Sequence, residues 1–300
     1  MKVVLFCGGL GTRLQEYSTT IPKPMVEIGY RPIIWHLMKY YAHYGHKEFI
    51  LCLGYRGDYI KNYFLNYDEC LSNDFILTNG GREVHLYNSD ISDWSISFID
   101  TGLNSNIGQR LKAVEPYLEG EEVFLANYSD GLTDLPLNKQ LDDFYQNNKI
   151  ASMLCVKPSQ SFDVLSMGPD NFVADMEPVS KSELWVNGGF FVFKKEIFDY
   201  IQPGEELVRE PFQRLIAKNE LIGYRYKGFW GCMDTFKEKK MFDEMYSKGS
   251  VPWAMWDSTP TPTGIPAHSR PKAINNGKRI WLDRSSLVAS YAQPSQSLSE

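Results

Sequence analysis

This sequence of 300 residues has no apolar run that approaches 18 residues, the length that a membrane-spanning helix requires. Its start, Lys2 followed by a short apolar stretch and then glycines, lacks the long apolar segment and cleavage site of a signal peptide. The five cysteines are odd in number and form no Cys-x-x-Cys pair, which argues against a disulfide framework. We therefore expect a cytoplasmic protein with reduced, mostly buried thiols.

Positive charge is also scarce. The chain carries 31 Lys and Arg against 37 Asp and Glu, a formal net charge of −6. That balance lacks the electrostatic footprint of proteins that bind nucleic acid or anionic membranes, so neither partner is expected. With 43% hydrophobic and 23% charged residues, the composition is ordinary for a soluble globular enzyme. A polyanionic ligand would then depend on local cations, helix ends and a metal ion.

Two widespread phosphate-binding loops are missing. Residues 1–6 predict a buried strand, which is followed by Gly8-Gly9-Leu10-Gly11-Thr12-Arg13-Leu14. The dinucleotide fingerprint needs a third glycine where Leu14 stands, and no Gly-Lys-Ser or Gly-Lys-Thr of a P-loop occurs. Glycines after a strand turn backbone N–H groups toward a ligand, and Arg13 and Lys23 add the charges that a polyphosphate requires. The residues alone leave open a tight strand-to-helix turn with two surface cations.

Strand and helix patterns alternate along the chain. Apolar runs predict strands, and longer stretches with end signals predict helices. The predicted strands are 1–6, 49–53, 123–128, 151–156 and 190–193, and the predicted helices are 32–44, 57–67, 104–117, 211–219 and 236–248. Residues 75–100 contain the turn signal Asn79-Gly80-Gly81 and period-two alternation at 95–99, which predict inserted antiparallel hairpins. The pattern indicates an α/β fold with a doubly wound, mostly parallel, Rossmann-like sheet that binds ligands at the carboxyl ends of its strands.

Two aspartates are predicted to lie at strand ends. Asp130 follows the apolar run 123–128, and Asp234 follows Trp230-Gly231-Cys232-Met233. Mg²⁺ that accompanies a nucleotide takes one or two protein carboxylates together with phosphate oxygens. The two residues are therefore candidate ligands of one ion. An Asp-Gly pair is also a common turn, and that alternative stays open at this stage.

The glycine loop and the segment Pro22-Lys23-Pro24-Met25-Val26 resemble the signature of the sugar-phosphate nucleotidyltransferases. Further short motifs, referred to below as strings, are most similar to those of the glucose-1-phosphate cytidylyltransferases. They agree in order and spacing from Met1 to about Trp256. Those strings are Pro32-Ile33-Ile34-Trp35-His36, Gly54-Tyr55, Asp100-Thr101-Gly102, Gly108 with Arg110-Leu111-Lys112, Asn187-Gly188-Gly189-Phe190-Phe191, and Gly228-Phe229-Trp230 with Met233-Asp234-Thr235. The resemblance implies a glycosyltransferase-A-like nucleotidyltransferase fold and a homo-oligomer. It implies an Mg²⁺-dependent enzyme of nucleotide-sugar and polysaccharide biosynthesis, which joins CTP to a sugar 1-phosphate, glucose 1-phosphate or a relative, and releases pyrophosphate.

The resemblance also implies roles for individual residues. Arg13 would hold the departing pyrophosphate and Lys23 would lie near the α-phosphate, so both would be catalytic. Asp130 and Asp234 would bind the metal. The nucleotide-binding residues would be Gly8, Gly9, Leu10, Gly11, Thr12, Ser105, Arg110 and Ser129. The acceptor-binding residues would be Glu177, Lys181, Asn187, Gly188 and Trp230.

Four residues depart from the family's pattern. Ser129 precedes Asp130 where the family has glycine, Pro178 takes the place of the acceptor-phosphate lysine, and Ser161-Phe162-Asp163 replaces Arg-Phe-Gly. Two cations expected near the acceptor phosphate are thus missing. Either Lys181 and Lys157 take their place, or the acceptor is not glucose 1-phosphate. Two alternatives stay open: the same chemistry with another phosphorylated acceptor or with UTP or dTTP as donor, and a nucleotide-binding regulatory module without turnover.

The chain is expected to divide near residue 256. Residues 1–256 would form the nucleotidyltransferase domain, with a nucleotide-binding half at about 1–135 and an acceptor-binding half at about 136–256. Residues 257–300 are rich in proline, serine and threonine, and they lie beyond the resemblance. We expect them to form a mobile tail that buries little surface.

Overall fold

A computed structural model describes residues 1–9, 21–158 and 162–258 of the chain. Four residues of the glycine loop, namely Leu10, Gly11, Thr12 and Arg13, lie outside the described residues. So do Ser161 and residues 259–300, which make up nearly all of the predicted tail.

The centre of the protein is a sheet of eight strands. Its main strands lie in the order β7-β4-β1-β8-β14-β10-β15, and the short β13 pairs with the end of β10 beside β14. The bounds are β1 Val3–Phe6, β4 Glu48–Leu53, β7 Ser95–Asp100, β8 Val123–Tyr128, β10 Ala151–Val156, β13 Val186–Asn187, β14 Phe191–Lys194 and β15 Leu221–Tyr226. The pairs β4–β7, β1–β4, β1–β8 and β10–β15 are parallel, and only β13 and β14 run in the opposite direction. The predicted α/β fold with a mostly parallel sheet is confirmed.

Both faces of this sheet are covered. Along β1, Val3 and Leu5 pack into one hydrophobic cluster, and Val4 and Phe6 pack into another. Successive side chains of a strand point to opposite faces, so each cluster lies on its own side of the sheet. All four residues are at most 5% exposed. A strand buried on both faces reads as a continuous apolar run, which is why the sequence predicts it so clearly.

Within residues 1–9, 21–158 and 162–258, six α-helices pack on the two faces. The bounds are α1 Ile33–His43, α2 Gly57–Leu65, α3 Ile107–Val114, α4 Leu137–Asn147, α5 Glu210–Ala217 and α6 Phe236–Ser247. Helices α1, α2, α4 and α6 contribute to the cluster that contains Leu5, and α3 and α5 contribute to the cluster that contains Phe6. The predicted helices agree with these bounds within a few residues. Pro32, predicted as the first helical residue, instead caps α1 just before it begins.

Four two-stranded ribbons lie outside the main sheet. They pair β2 Glu27–Ile28 with β3 Arg31–Pro32, β5 Phe75–Thr78 with β6 Glu83–Leu86, β9 Gly131–Thr133 with β16 Trp230–Cys232, and β11 Asp163–Met167 with β12 Val173–Pro178. The hairpin predicted around Asn79-Gly80-Gly81 is β5–β6. The reading of residues 95–99 as part of a hairpin was wrong, because β7 joins the main sheet parallel to β4.

The structure can be compared with the expectations about membrane-spanning segments and about cysteines. Within the described part of the chain, no helix is long and apolar enough to cross a membrane. All five cysteines are free, and three of them are buried.

Candidate active site

The candidate site lies where parallel strands of the sheet end. Strands β1, β4, β7 and β8 are adjacent and parallel, so their carboxyl ends meet at one edge. Gly8 and Gly9 follow β1 there, Thr101 and Gly102 follow β7, and Ser129 follows β8. The Ser129 hydroxyl donates to the carbonyl of Phe6 at 2.8 Å, which ties the ends of β1 and β8 together.

A buried arginine holds three of these strand ends in register. Arg110, on α3, is 2% exposed. Its guanidinium donates to the carbonyls of Leu53 and Gly102 at 2.9 Å each, and to the hydroxyl of Thr101 at 2.7 Å. It also donates to the carbonyl of Gly8 at 2.9 Å. Burial lowers the pKa of Arg110, and the carbonyl oxygens around it supply the acceptors that a buried cation needs.

The close approach of Arg110 explains the glycine at two strand ends. A Cβ atom at Gly8 would lie 2.1 Å from Nη1 of Arg110. At Gly54 it would lie 2.7 Å from the same nitrogen and 2.8 Å from the Gly8 carbonyl oxygen. All three distances are too short for real atoms, so the buried guanidinium needs glycine at both positions.

Three charged side chains from distant parts of the sequence converge in front of this edge. The ammonium group of Lys23 forms ion pairs with both Asp130 and Asp234. Asp130 directly precedes β9, and Asp234 lies just beyond β16, whose Cys232 pairs with Gly131. The antiparallel register therefore places the two carboxylates side by side. A backbone hydrogen bond of 2.9 Å from Met233 to the Asp130 carbonyl locks the register.

Short local motifs fix the backbone of two members of this triad. Lys23 begins the 3-10 turn Lys23–Met25 and stands between Pro22 and Pro24. The rings of these prolines restrict their backbone dihedral angle φ. Asp234 precedes Thr235, the N-cap of α6, where Thr235 and Glu238 form a capping box. The Glu238 carboxylate also accepts from the backbone N–H of Asp234 at 2.7 Å.

The electrostatics of the triad favour a charged lysine. The side chains of Lys23, Asp130 and Asp234 are 14%, 21% and 24% exposed. Burial alone would lower the pKa of Lys23, but the two carboxylates outweigh it and the pKa is raised. Cys232 lies beside them, with its thiol 3.4 Å from an oxygen of Asp234. Burial and the neighbouring carboxylates raise the pKa of this thiol, so it stays protonated and is no thiolate nucleophile.

Two aspartates that share one cationic group have the donor chemistry of a magnesium site. Hard carboxylate oxygens are what Mg²⁺ prefers, and the ammonium of Lys23 already occupies a position between them. No group of three or more His, Cys, Asp or Glu side chains suited to a metal occurs among the described residues. The pair therefore fits an ion that takes its other ligands from phosphate and water.

The remaining residues predicted to bind nucleotide have different surroundings. Gly9 is exposed at the carboxyl edge of the sheet. The hydroxyl of Ser105 donates to the backbone carbonyl of Thr101 and so supports the turn after β7. The hydrogen bonds of Arg110 described above all go to this edge. Ser105 and Arg110 thus both bond to the turn after β7.

The residues predicted to bind the acceptor form a second group. Asn187 ends β13, and Gly188 and Gly189 follow it in the connection to β14. Gly189 adopts a φ of 77° there and has no room for a Cβ beside Asn127. The indole N–H of Trp230 donates to the Gly188 carbonyl at 2.9 Å. Trp230 also belongs to β16, close to Gly131, and so lies between this connection and the carboxylates.

Glu177 and Lys181 lie further out. Glu177 is half-buried on β12, and Lys181 is exposed in the turn after it. Pro178 is also exposed, paired with Asp163 in the β11–β12 hairpin. No ion pair or hydrogen bond in the described part of the chain joins Glu177 or the Lys181 side chain to the triad.

Three more residues lie beside this group, and sequence reasoning named Lys157 as a substitute acceptor cation but missed Trp185 and Lys227. Lys157, Trp185 and Lys227 line a pocket that Lys181 and Trp230 also line. They come from three separate segments, so no local spacing could have joined them.

Comparisons with known proteins show the family and the fold of this chain. Residues 2–244 match the family model described as nucleotidyl transferase. The chain is 37% identical over 259 residues to glucose-1-phosphate cytidylyltransferase of Salmonella typhimurium, covering 86% of this chain and 100% of that protein. The enzyme of the same name from Salmonella typhi gives the same figures. Among solved structures, UTP-bound UGPase from Acinetobacter baumannii has a TM-score of 0.61 at 16% identity, covering 85% of this chain and 96% of that one, which shows the fold alone.

Proposed function

This chain belongs to the nucleotidyl transferase family, and we propose that it transfers a cytidylyl group from CTP to a sugar 1-phosphate with release of pyrophosphate. The observation that carries the proposal is the Lys23–Asp130–Asp234 triad at the carboxyl edge of the sheet. The relatives at 37% identity are named glucose-1-phosphate cytidylyltransferases, which supports CTP as donor and glucose 1-phosphate or a related sugar 1-phosphate as acceptor.

The reaction joins two anions. A phosphate oxygen of the acceptor attacks the α-phosphorus of CTP, the new P–O bond forms, and the bond to the β-phosphate oxygen breaks. The attacking oxygen is already ionised, so positioning and charge neutralisation matter more than a general base. Lys23 would move from the two carboxylates to the α-phosphate. Arg13, which lies outside the described residues, would hold the departing pyrophosphate.

Asp130 and Asp234 would hold Mg²⁺ once Lys23 turns to the nucleotide. The ion supplies charge neutralisation and orientation for the triphosphate. The chain's own part is to keep two carboxylates at a fixed separation. The β9–β16 register and the α6 capping box do so.

The nucleotide would lie along the ends of β1, β4 and β7. The glycine loop would present backbone groups to it through Gly8 and Gly9 and through Leu10, Gly11 and Thr12, which lie outside the described residues. Arg110 would set the position of the Gly8 carbonyl, and Ser105 and Ser129 would support the same edge through their bonds to Thr101 and Phe6.

The acceptor would lie on the other side of Trp230. Its ring hydroxyls would meet the amide of Asn187, the backbone at Gly188 and the carboxylate of Glu177, while the indole of Trp230 would offer an aromatic face. Lys181 is the nearest lysine in sequence to the position where the family carries its acceptor-phosphate lysine. The homo-oligomer, the cytoplasmic location and the two-half division of residues 1–256 stay predictions.

Pyrophosphate release tests the proposal directly. CTP, UTP and dTTP are each incubated with glucose 1-phosphate and Mg²⁺, and pyrophosphate is measured by a coupled assay. We expect release with CTP at the highest kcat/KM. Greater efficiency with UTP or dTTP would reassign the donor. Nucleotide binding without pyrophosphate from any pair would leave a regulatory module.

A further inference from the structure

A second pocket adjoins the candidate active site. It has a volume of about 450 Å³ and lies at the carboxyl ends of β10 and β15. Its lining includes Lys157, Lys181 and Lys227, together with Trp185 and Trp230. Glu183 is the only acidic residue among the described residues that line it. Three cations against one anion stand out in a chain whose net charge is −6.

The three lysines form no ion pair with a carboxylate in the described part of the chain, whereas ten other Lys and Arg side chains do. Lys157 is held in place, because its ammonium donates to the carbonyl of Ser182 and lies 4.5 Å from the ring centre of Trp185. Arg225 approaches the same ring at 5.5 Å. The pocket is thus a cationic surface whose charge is not neutralised from within the described protein.

This pocket is distinct from the place where the phosphates react. Neither Lys23 nor Asp130 nor Asp234 lines it. Trp230 is the element that both share, since its indole nitrogen would lie 3.9 Å from a Cβ at Gly131, next to Asp130. An acceptor whose 1-phosphate reaches the triad would extend past Trp230 and place its far end among the lysines.

We propose that this pocket recognises a second anionic group on the acceptor, so that the substrate is a sugar 1-phosphate that also carries a carboxylate or a phosphate away from the anomeric carbon. The inference rests on the proposed function, whose acceptor site it refines. Lysine ammonium groups suit either anion, because each offers three freely rotating donors.

Three acceptors that differ only at one carbon test the proposal. Glucose 1-phosphate, glucuronic acid 1-phosphate and glucose 1,6-bisphosphate are compared by pyrophosphate release from CTP, and the last two distinguish a carboxylate from a phosphate. We expect kcat/KM at least tenfold higher for one of the two anionic acceptors, mainly through a lower KM. The ratio of kcat/KM for the anionic acceptor to that for glucose 1-phosphate should fall at least tenfold in Lys227→Gln. It should fall further in the double variant that combines Lys181→Gln with Lys227→Gln. The matched control is Lys139→Gln, an exposed lysine on α4 without an ion pair among the described residues, which should keep the preference.

Calorimetric titration with each acceptor, without nucleotide, supplies a readout that does not need turnover. One outcome is that an anionic acceptor binds, that the lysine variants weaken this binding, and that no nucleotide yields pyrophosphate. It would overturn the proposed function and keep the pocket assignment. Efficient turnover of glucose 1-phosphate with no preference for the anionic acceptors would keep the function and overturn the pocket assignment. A preference that both lysine variants retain in full would also overturn it.

Discussion

Replacing Lys23 with alanine separates the two roles that the structure gives to its ammonium group. In the free protein the ammonium neutralises Asp130 and Asp234, and in the reaction it would neutralise the α-phosphate. Losing a cation that acts in the transition state costs about 3 kcal/mol, or at least about a hundredfold in kcat. The same change removes the ammonium group that lies between the two carboxylates, so their mutual repulsion increases.

The size of that repulsion follows from the geometry. Both carboxylates bond one nitrogen, so their nearest oxygens are at most about 5.5 Å apart. At an effective dielectric constant of about 20, two such charges repel by about 3 kcal/mol, and solvent at these partly exposed groups reduces the effect. In EDTA we therefore expect Lys23→Ala to melt roughly 3 to 6 °C below the wild type. Mg²⁺ should restore most of this difference, because it binds the vacated carboxylates.

Two assays check this prediction. Pyrophosphate release gives kcat, and thermal denaturation in EDTA and in excess Mg²⁺ gives the stability change. Lys139→Ala serves as the control, since it removes an exposed lysine without an ion pair among the described residues, and it should match the wild type in both. Turnover of Lys23→Ala within a few-fold of the wild type would refute the catalytic role. A melting temperature that chelation and Mg²⁺ leave unchanged would refute the shared carboxylate site.

Three further predictions concern other parts of the protein. Asp130→Asn and Asp234→Asn should each slow turnover and raise the Mg²⁺ concentration that half-saturates it, because each removes a charged oxygen ligand; unchanged half-saturation in both would separate them from the metal. A chain that stops after Ser258 should keep its kcat and melting temperature, and loss of either would show that residues 259–300 contribute to the body. His36 is buried, contacts the Ile28 carbonyl at 3.0 Å and the Trp253 indole at 3.3 Å, and burial lowers its pKa to about 4. Between pH 6.5 and pH 4 the imidazole takes up a proton in the unfolded chain but stays neutral in the folded chain. The free energy of unfolding should therefore fall by up to about 3 kcal/mol over this range. Denaturant titrations at several pH values should show a smaller fall for His36→Gln.

Much of the sheet was predictable because its inner strands are buried on both faces. Strands β1, β8 and β10 read as continuous apolar runs and were predicted to within two residues. Strand β7 was misread for the opposite reason. It is an edge strand of the main sheet with partly exposed residues, so its sequence alternates as a hairpin strand does.

The candidate site was predictable only in part. The glycines after β1 and the two aspartates carry local signals, because a glycine turn and a strand end shape the chain around them. The contacts of Lys23 with Asp130 and Asp234 span 107 and 211 residues of sequence, so the β9–β16 pairing, and no local spacing, creates them. The role of Arg110 in holding strand ends is likewise a product of tertiary packing. No pattern in the sequence announces that a cation will be buried among backbone carbonyls.

Phosphorus NMR of the complete reaction tests the central claim most directly. The wild-type protein is mixed with CTP, Mg²⁺ and a sugar 1-phosphate, and the phosphorus resonances are followed over time. The account predicts that the triphosphate and monophosphate resonances disappear together, while pyrophosphate and a pair of coupled diphosphate resonances of a CDP-sugar appear in equal amounts. Formation of CDP and inorganic phosphate, or an unchanged spectrum with every acceptor, would contradict it.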